Sequence, residues 1–221
     1  MKINESIEIG IGHDFDGVLV HKTKAKIANA RKYPLKRREE ADPLMDAVQS
    51  DSRIEDLGII TKRYRWMRRR NTQRVLAETG LVDNFKPGSI TFAGGDGNKA
   101  LYLARWANTH ELPVGIIDDR PGEVGVKAAE LAVKCKKTPE FGSLIIIAAE
   151  ASELNHQSVR DFEVGIEELE RKHPDDLDVL RDNTAGEIAV RMEEGTIYVI
   201  PALGPPAEEV LDHVISLGHA G

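Results

Sequence analysis

The sequence has only one cysteine, Cys135, in 221 residues. No disulfide can form within the chain, so a reducing, cytoplasmic setting is expected. Cys135 lies among Lys134, Lys136 and Lys137, which could lower its pKa, but no obvious general-base partner stands beside it and it reads as an incidental thiol. Aromatic residues are also scarce, at 5%, so the core must be built mainly from aliphatic side chains. No apolar run approaches the ~20 residues that a membrane-spanning helix needs, and no membrane partner is expected. The stretch from Met1 to Glu8 is polar and acidic and does not read as a signal peptide. His156, His173, His213 and His219 are scattered and suggest no histidine metal site.

Charge is present in quantity but unevenly placed. The net charge is −7, yet residues 21–38 and 62–74 together hold 15 of the 30 Lys and Arg side chains and no acid. The average predicts little affinity for polyanions, whereas the two local runs predict the opposite. Tyr33, Tyr64 and Trp66 lie within these runs, where they could stack on bases.

Hydrophobic periodicity places a strand and its following loop in Ile7 to Val20, and a helix from Ala41 to Asp56 with Pro43 in its first turn. A strand at Leu57 to Thr61 and a helix from Tyr64 to Thr79, stopped by Gly80, come next. Ser89 to Ala93 reads as a strand running into the turn Gly94-Gly95-Asp96-Gly97, with Asn98 as the cap of a helix reaching Asn108. A strand at Pro113 to Ile117, a helix at Val124 to Val133 and a strand at Ser143 to Ala148 complete the pattern. Strands and helices that alternate in this way predict an α/β fold, a doubly wound, Rossmann-like parallel sheet over residues 1–150. Residues 151–221 read as an extension packed on that core, not an independent domain. It has a helix at Ser158 to Lys172, a hairpin from Glu187 to Ile200 and a last helix from Pro205 to Leu217.

Ligands of open α/β sheets bind beyond the carboxyl ends of the strands. Those ends carry Asp14 and Asp16, Thr61, the turn before Lys99, and Asp118 with Asp119. Carboxylates hold a hard cation, a lysine neutralises phosphate oxygens, and one carboxylate can attack phosphorus. The set therefore suits phosphoryl transfer.

The run His13-Asp14-Phe15-Asp16-Gly17-Val18-Leu19 resembles the first motif of the haloacid dehalogenase superfamily. Leu57-Gly58-Ile59-Ile60-Thr61 resembles the second motif, Lys99 before an apolar helix the third, and Ile116-Ile117-Asp118-Asp119 the fourth. All four stand in the family's order. The resemblance implies a Rossmann-like core and a Mg²⁺-dependent phosphomonoester hydrolase. Asp14 would then be the nucleophile, Asp16 the general acid and base, Thr61 a hydrogen-bond donor to the phosphoryl group, and Lys99 its neutralising cation. It also implies Mg²⁺ held by Asp14, the Asp16 backbone carbonyl, Asp118 and Asp119. His13, Lys62, Arg63 and Arg68 flank the motifs and are the expected substrate contacts. Neither the gap after the first motif nor that between the second and third has room for a cap domain, so the site should be open or covered by a small flap. The expected partner is a phosphorylated small molecule or nucleotide, with a nucleic-acid end among the candidates. A homodimer surface is one use for the tail. There are two alternatives: a non-catalytic nucleic-acid or protein-binding module that kept the fold, against which the intact Asp14, Asp16, Thr61, Lys99 and Asp118 weigh, and a phosphotransferase or mutase, which uses the same residues but excludes water.

Overall fold

The computed structural model of the chain describes residues 6–21, 35–86, 88–135, 139–149, 154–182, 186–201 and 206–220. The strands are β1 (Ile9–His13), β2 (Ile54–Thr61), β3 (Ile90–Phe92), β4 (Val114–Asp118), β5 (Gly142–Ala148), β6 (Asp178–Asp182), β7 (Glu187–Met192) and β8 (Gly195–Pro201). The helices are α1 (Asp42–Ser50), α2 (Arg65–Glu78), α3 (Asp96–His110), α4 (Pro121–Cys135), α5 (Leu154–Lys172) and α6 (Ala207–Gly218). The strands form one sheet in the order β3-β2-β1-β4-β5-β8-β7-β6. Pairing is parallel from β3 through β8 and antiparallel across β8, β7 and β6. The expected α/β, Rossmann-like architecture is therefore present. The tail joins the same sheet, because β8 pairs with β5 along its whole length.

Two apolar layers cover the sheet. Ile9 and Ile11 of β1 pack with Met45 and Val48 of α1, Val75 and Leu76 of α2, and Val214 of α6. On the other face Ile116 and Ile146 pack with Leu103 of α3, Val124 of α4 and Phe162 of α5. Gly10 and Gly12 interrupt the apolar run of β1 for a steric reason. A Cβ at Gly10 would lie 2.6 Å from the Trp106 ring, and one at Gly12 would lie 2.5 Å from Ile60. The α3 face thus approaches β1 more closely than any side chain there would allow.

Two boundaries differ from the sequence expectation. Helix α1 ends at Ser50, not near Asp56, and Ile54 to Asp56 belong to β2. The Asp51 carboxylate accepts the Arg53 backbone N–H at 2.9 Å and its Nε–H at 3.0 Å, which makes a turn that competes with further helix. Asn98 lies inside α3 and does not cap it, since the helix already begins at Asp96.

Candidate active site

Strand order reverses between β1 and β4, which run side by side at the centre with β2 and β5 outside them. Such a switch point opens a crevice beyond the carboxyl ends of the two strands. Asp14 follows β1 directly, and Asp118 ends β4. The Asp14 N–H donates to the Ile117 carbonyl at 2.9 Å, so the sheet's own ladder fixes the two acids side by side.

Lys99 reaches this point from the first turns of α3. Its Nζ donates to Asp14 Oδ1 at 2.9 Å and to Asp118 Oδ2 at 2.7 Å. All three side chains are almost wholly shielded from solvent, at 1% for Lys99, 2% for Asp118 and 3% for Asp14. Burying charges this way is costly unless each is paired. Burial pushes the Asp14 carboxyl up to about 7; Lys99 opposes the shift, and Asp118 and Asp119 add to it. Burial works to lower the Lys99 pKa, but Asp118 and Asp14 outweigh it and hold the ammonium above its ordinary range.

Asp119 stands beside this triad. One carboxylate oxygen each from Asp14, Asp118 and Asp119 lie within 4.8 Å of one another. A Cβ at Gly17, where φ is +97°, would lie 2.4 Å from the Asp119 carboxylate carbon. Gly17 is thus required twice, for its backbone angle and for the space Asp119 takes. The three carboxylates bring oxygen donors only to one point. This set fits a hard divalent cation such as Mg²⁺.

Asp16 is held differently. Arg63 grips it with two hydrogen bonds, Nε to Oδ2 and Nη2 to Oδ1, both 2.6 Å. The guanidinium carbon also sits 4.5 Å from the centre of the Phe15 ring. Arg63 Nη1 donates to Thr72 Oγ1 at 2.9 Å and to Asn71 Oδ1 at 3.2 Å, which ties the fork to α2. Planar, two-point recognition of this kind fixes a carboxylate in orientation as well as position. Thr61 is fully buried at the end of β2, where its Oγ1 accepts the Arg63 N–H at 3.3 Å.

The sequence-predicted residues thus fall into groups. Asp14, Lys99, Asp118 and Asp119 come together. The Asp16 carboxylate is engaged by Arg63 and is not one of the three clustered carboxylates. Lys62 pairs with Glu123 at 3.3 Å and Asp96 at 3.6 Å, which leaves Lys99 as the lysine of the centre. The Arg68 side chain and residues 22–34, including Tyr33, lie outside the described residues.

His13, an expected substrate contact, continues the Ile9 and Ile11 face of β1 and is 1% exposed. Its ring meets Phe85 edge to face at 5.5 Å and lines a cavity with Val18, Leu44, Ile117 and Val210. Among the described residues neither ring nitrogen has a hydrogen-bond partner of good geometry. Burial pushes its pKa down against the pull of Asp56, 3.7 Å away, and of the nearby Gly58 backbone. The period-2 alternation of a strand carried this signal, because residues 9, 11 and 13 must share a face. The Arg63–Asp16 fork joins residues 47 apart and left no such mark.

No described helix is long and apolar enough to cross a membrane. Comparison with protein-family models, with curated proteins and with solved structures finds no match to this chain.

Proposed function

We propose that the protein is a Mg²⁺-dependent phosphomonoester hydrolase of the haloacid dehalogenase type. One observation carries the reading: Asp14, Lys99 and Asp118 are buried within hydrogen-bond reach at the switch point, with Asp119 alongside. Mutually paired buried groups with displaced pKa values at a strand-order switch point are a functional-site signature. The order of the four motifs supports the same assignment.

Asp14 is the nucleophile. Its Oδ1 is held by Lys99, and its other oxygen is the one assigned to attack phosphorus. A P–O bond to Asp14 forms while the P–O bond to the leaving group breaks. Asp16 gives its proton to the departing oxygen. It then takes a proton from the water that attacks the aspartyl-phosphate, so inorganic phosphate leaves and Asp14 is regenerated. Both Asp16 oxygens accept from Arg63, so one arm of that fork must open for Asp16 to carry the proton. Lys99 offsets charge on the phosphoryl oxygens, and the Thr61 hydroxyl donates to one of them. The Asp14, Asp118 and Asp119 carboxylates would hold Mg²⁺, which supplies further neutralisation of phosphoryl charge when bound.

The test is hydrolysis of p-nitrophenyl phosphate with and without chelator. Activity is expected to vanish with chelator and return with added Mg²⁺. Full activity after exhaustive chelation would overturn the proposal.

A further inference from the structure

The α2 face beside the site is built from charges that help neither the helix nor the core. Arg65, Arg69 and Arg70 are exposed and make no ion pair or hydrogen bond among the described residues. Trp66 is 82% exposed and Tyr64 53%. With spacings of three and four residues, Arg65, Trp66, Arg69 and Arg70 share one side of the helix. Among the described side chains of α2, Thr72, Val75 and Leu76, further along, are buried.

This placement works against helix stability. The first turn of α2 contains no acid, and its N-terminus has no side-chain cap. Arginine at the positive end of a helix is electrostatically unfavourable. An anion lying along this turn would reverse that sign. An exposed tryptophan also costs solubility unless it has a use.

The face is continuous with the site. Arg63, which grips Asp16, is followed at once by Tyr64 and then by α2. The Tyr64 ring packs over the turn that leads into the Lys99 helix, since a Cβ at Gly94 would lie 3.2 Å from it. A chain bound along Arg65, Trp66, Arg69 and Arg70 would therefore run past Tyr64 toward Asp14.

We infer that this face binds single-stranded nucleic acid and delivers its phosphorylated end to the centre, an inference that rests on the phosphohydrolase reading for its second half only. Arginines neutralise the phosphodiester backbone, and exposed aromatic rings interleaved with them offer stacking platforms for bases. An acidic peptide would use the charges but not the rings. An anionic membrane would need more apolar surface than one tryptophan supplies.

The test is fluorescence anisotropy of the full chain with a labelled single-stranded oligonucleotide that ends in a hydroxyl, so that no chemistry is involved. Binding is expected to weaken with log salt, and R65Q/R69Q/R70Q should make that slope shallower by about 2, at about 0.7 per lost contact. Trp66→Ala should weaken binding about tenfold, as for one lost base stack, and Trp66→Phe should retain most of it. Because Trp66 is so exposed, that pair decides the matter even if the triple variant folds poorly. Absence of oligonucleotide binding, or equal affinity in Trp66→Ala, would overturn the inference. So would equal competition by polyglutamate or by phosphatidylserine vesicles. Binding without turnover of an end-phosphorylated oligonucleotide or of p-nitrophenyl phosphate would leave this surface standing and remove the hydrolase reading. Turnover of p-nitrophenyl phosphate without oligonucleotide binding would do the reverse.

Discussion

At the switch point three charged side chains are buried within hydrogen-bond reach of one another; on the neighbouring α2, three arginines stand in solvent with no carboxylate partner among the described residues. The centre depends on pairing. Asp14, Lys99 and Asp118 have given up water, so each is tolerable only because of the others. Those α2 arginines pair with nothing among the described residues and keep their charges available. Loss of the ammonium from the centre should therefore damage fold and chemistry together, whereas loss from α2 should change only what the protein binds.

The largest expected effect comes from Lys99→Ala. It leaves two buried carboxylates facing each other and should cost about 3–5 kcal/mol of stability in urea unfolding, besides abolishing turnover. Added Mg²⁺ should restore part of the stability, because a cation between the carboxylates replaces part of what Lys99 did. A variant as stable as wild type in chelator would break the contrast between the two regions.

Asp16→Asn comes next. Asp16 is about a quarter exposed and paired with Arg63 at the edge of the site, so its loss should spare the fold. Turnover should fall roughly 10²–10⁴-fold, the usual value of general acid–base catalysis, while melting temperature changes little. A large drop in melting temperature would mean that the Arg63 fork belongs structurally with the buried centre.

The smallest effect concerns pH. Asp14 in the folded state holds its proton up to about 7, above its unfolded value. Between the ordinary carboxylate pKa and about 7 the folded chain therefore binds more protons than the unfolded chain, and stability falls as pH rises. Lys99, pushed upward, stays protonated across this window. In metal-free buffer Asp14→Asn should thus melt higher than wild type at pH 7, with the gap closing toward pH 4. Thermal melts at the two pH values measure this directly, and a gap that widens toward acid would contradict the sign.

Much of this organisation was legible in the sequence. β1 to β5 follow from apolar runs ending in polar residues, and the order of Asp14, Thr61, Lys99 and Asp118 places the site. Strand β6 was not legible. It spans Asp178 to Asp182, lies at the sheet edge, carries an acid at each end and leaves Leu180 41% exposed. Only its pairing with β7 makes it a strand, and pairing partners are not written in local composition. The end of α1 escapes the sequence because Asp51 turns the chain through its own carboxylate, a local bond that hydrophobic periodicity does not register. The Arg63–Asp16 fork needed the fold to bring β2 and β1 together.

The most direct test of the account is whether Asp14 carries the phosphoryl group. Enzyme mixed with p-nitrophenyl phosphate and Mg²⁺, quenched in acid and digested, should yield the peptide containing Asp14 with the mass of one added phosphoryl group. Hydroxylamine should remove it, as expected of an acyl phosphate, and Asp14→Asn protein should show neither the adduct nor turnover. Turnover at the wild-type rate in Asp14→Asn, or a phosphoryl group found on another residue, would contradict the account.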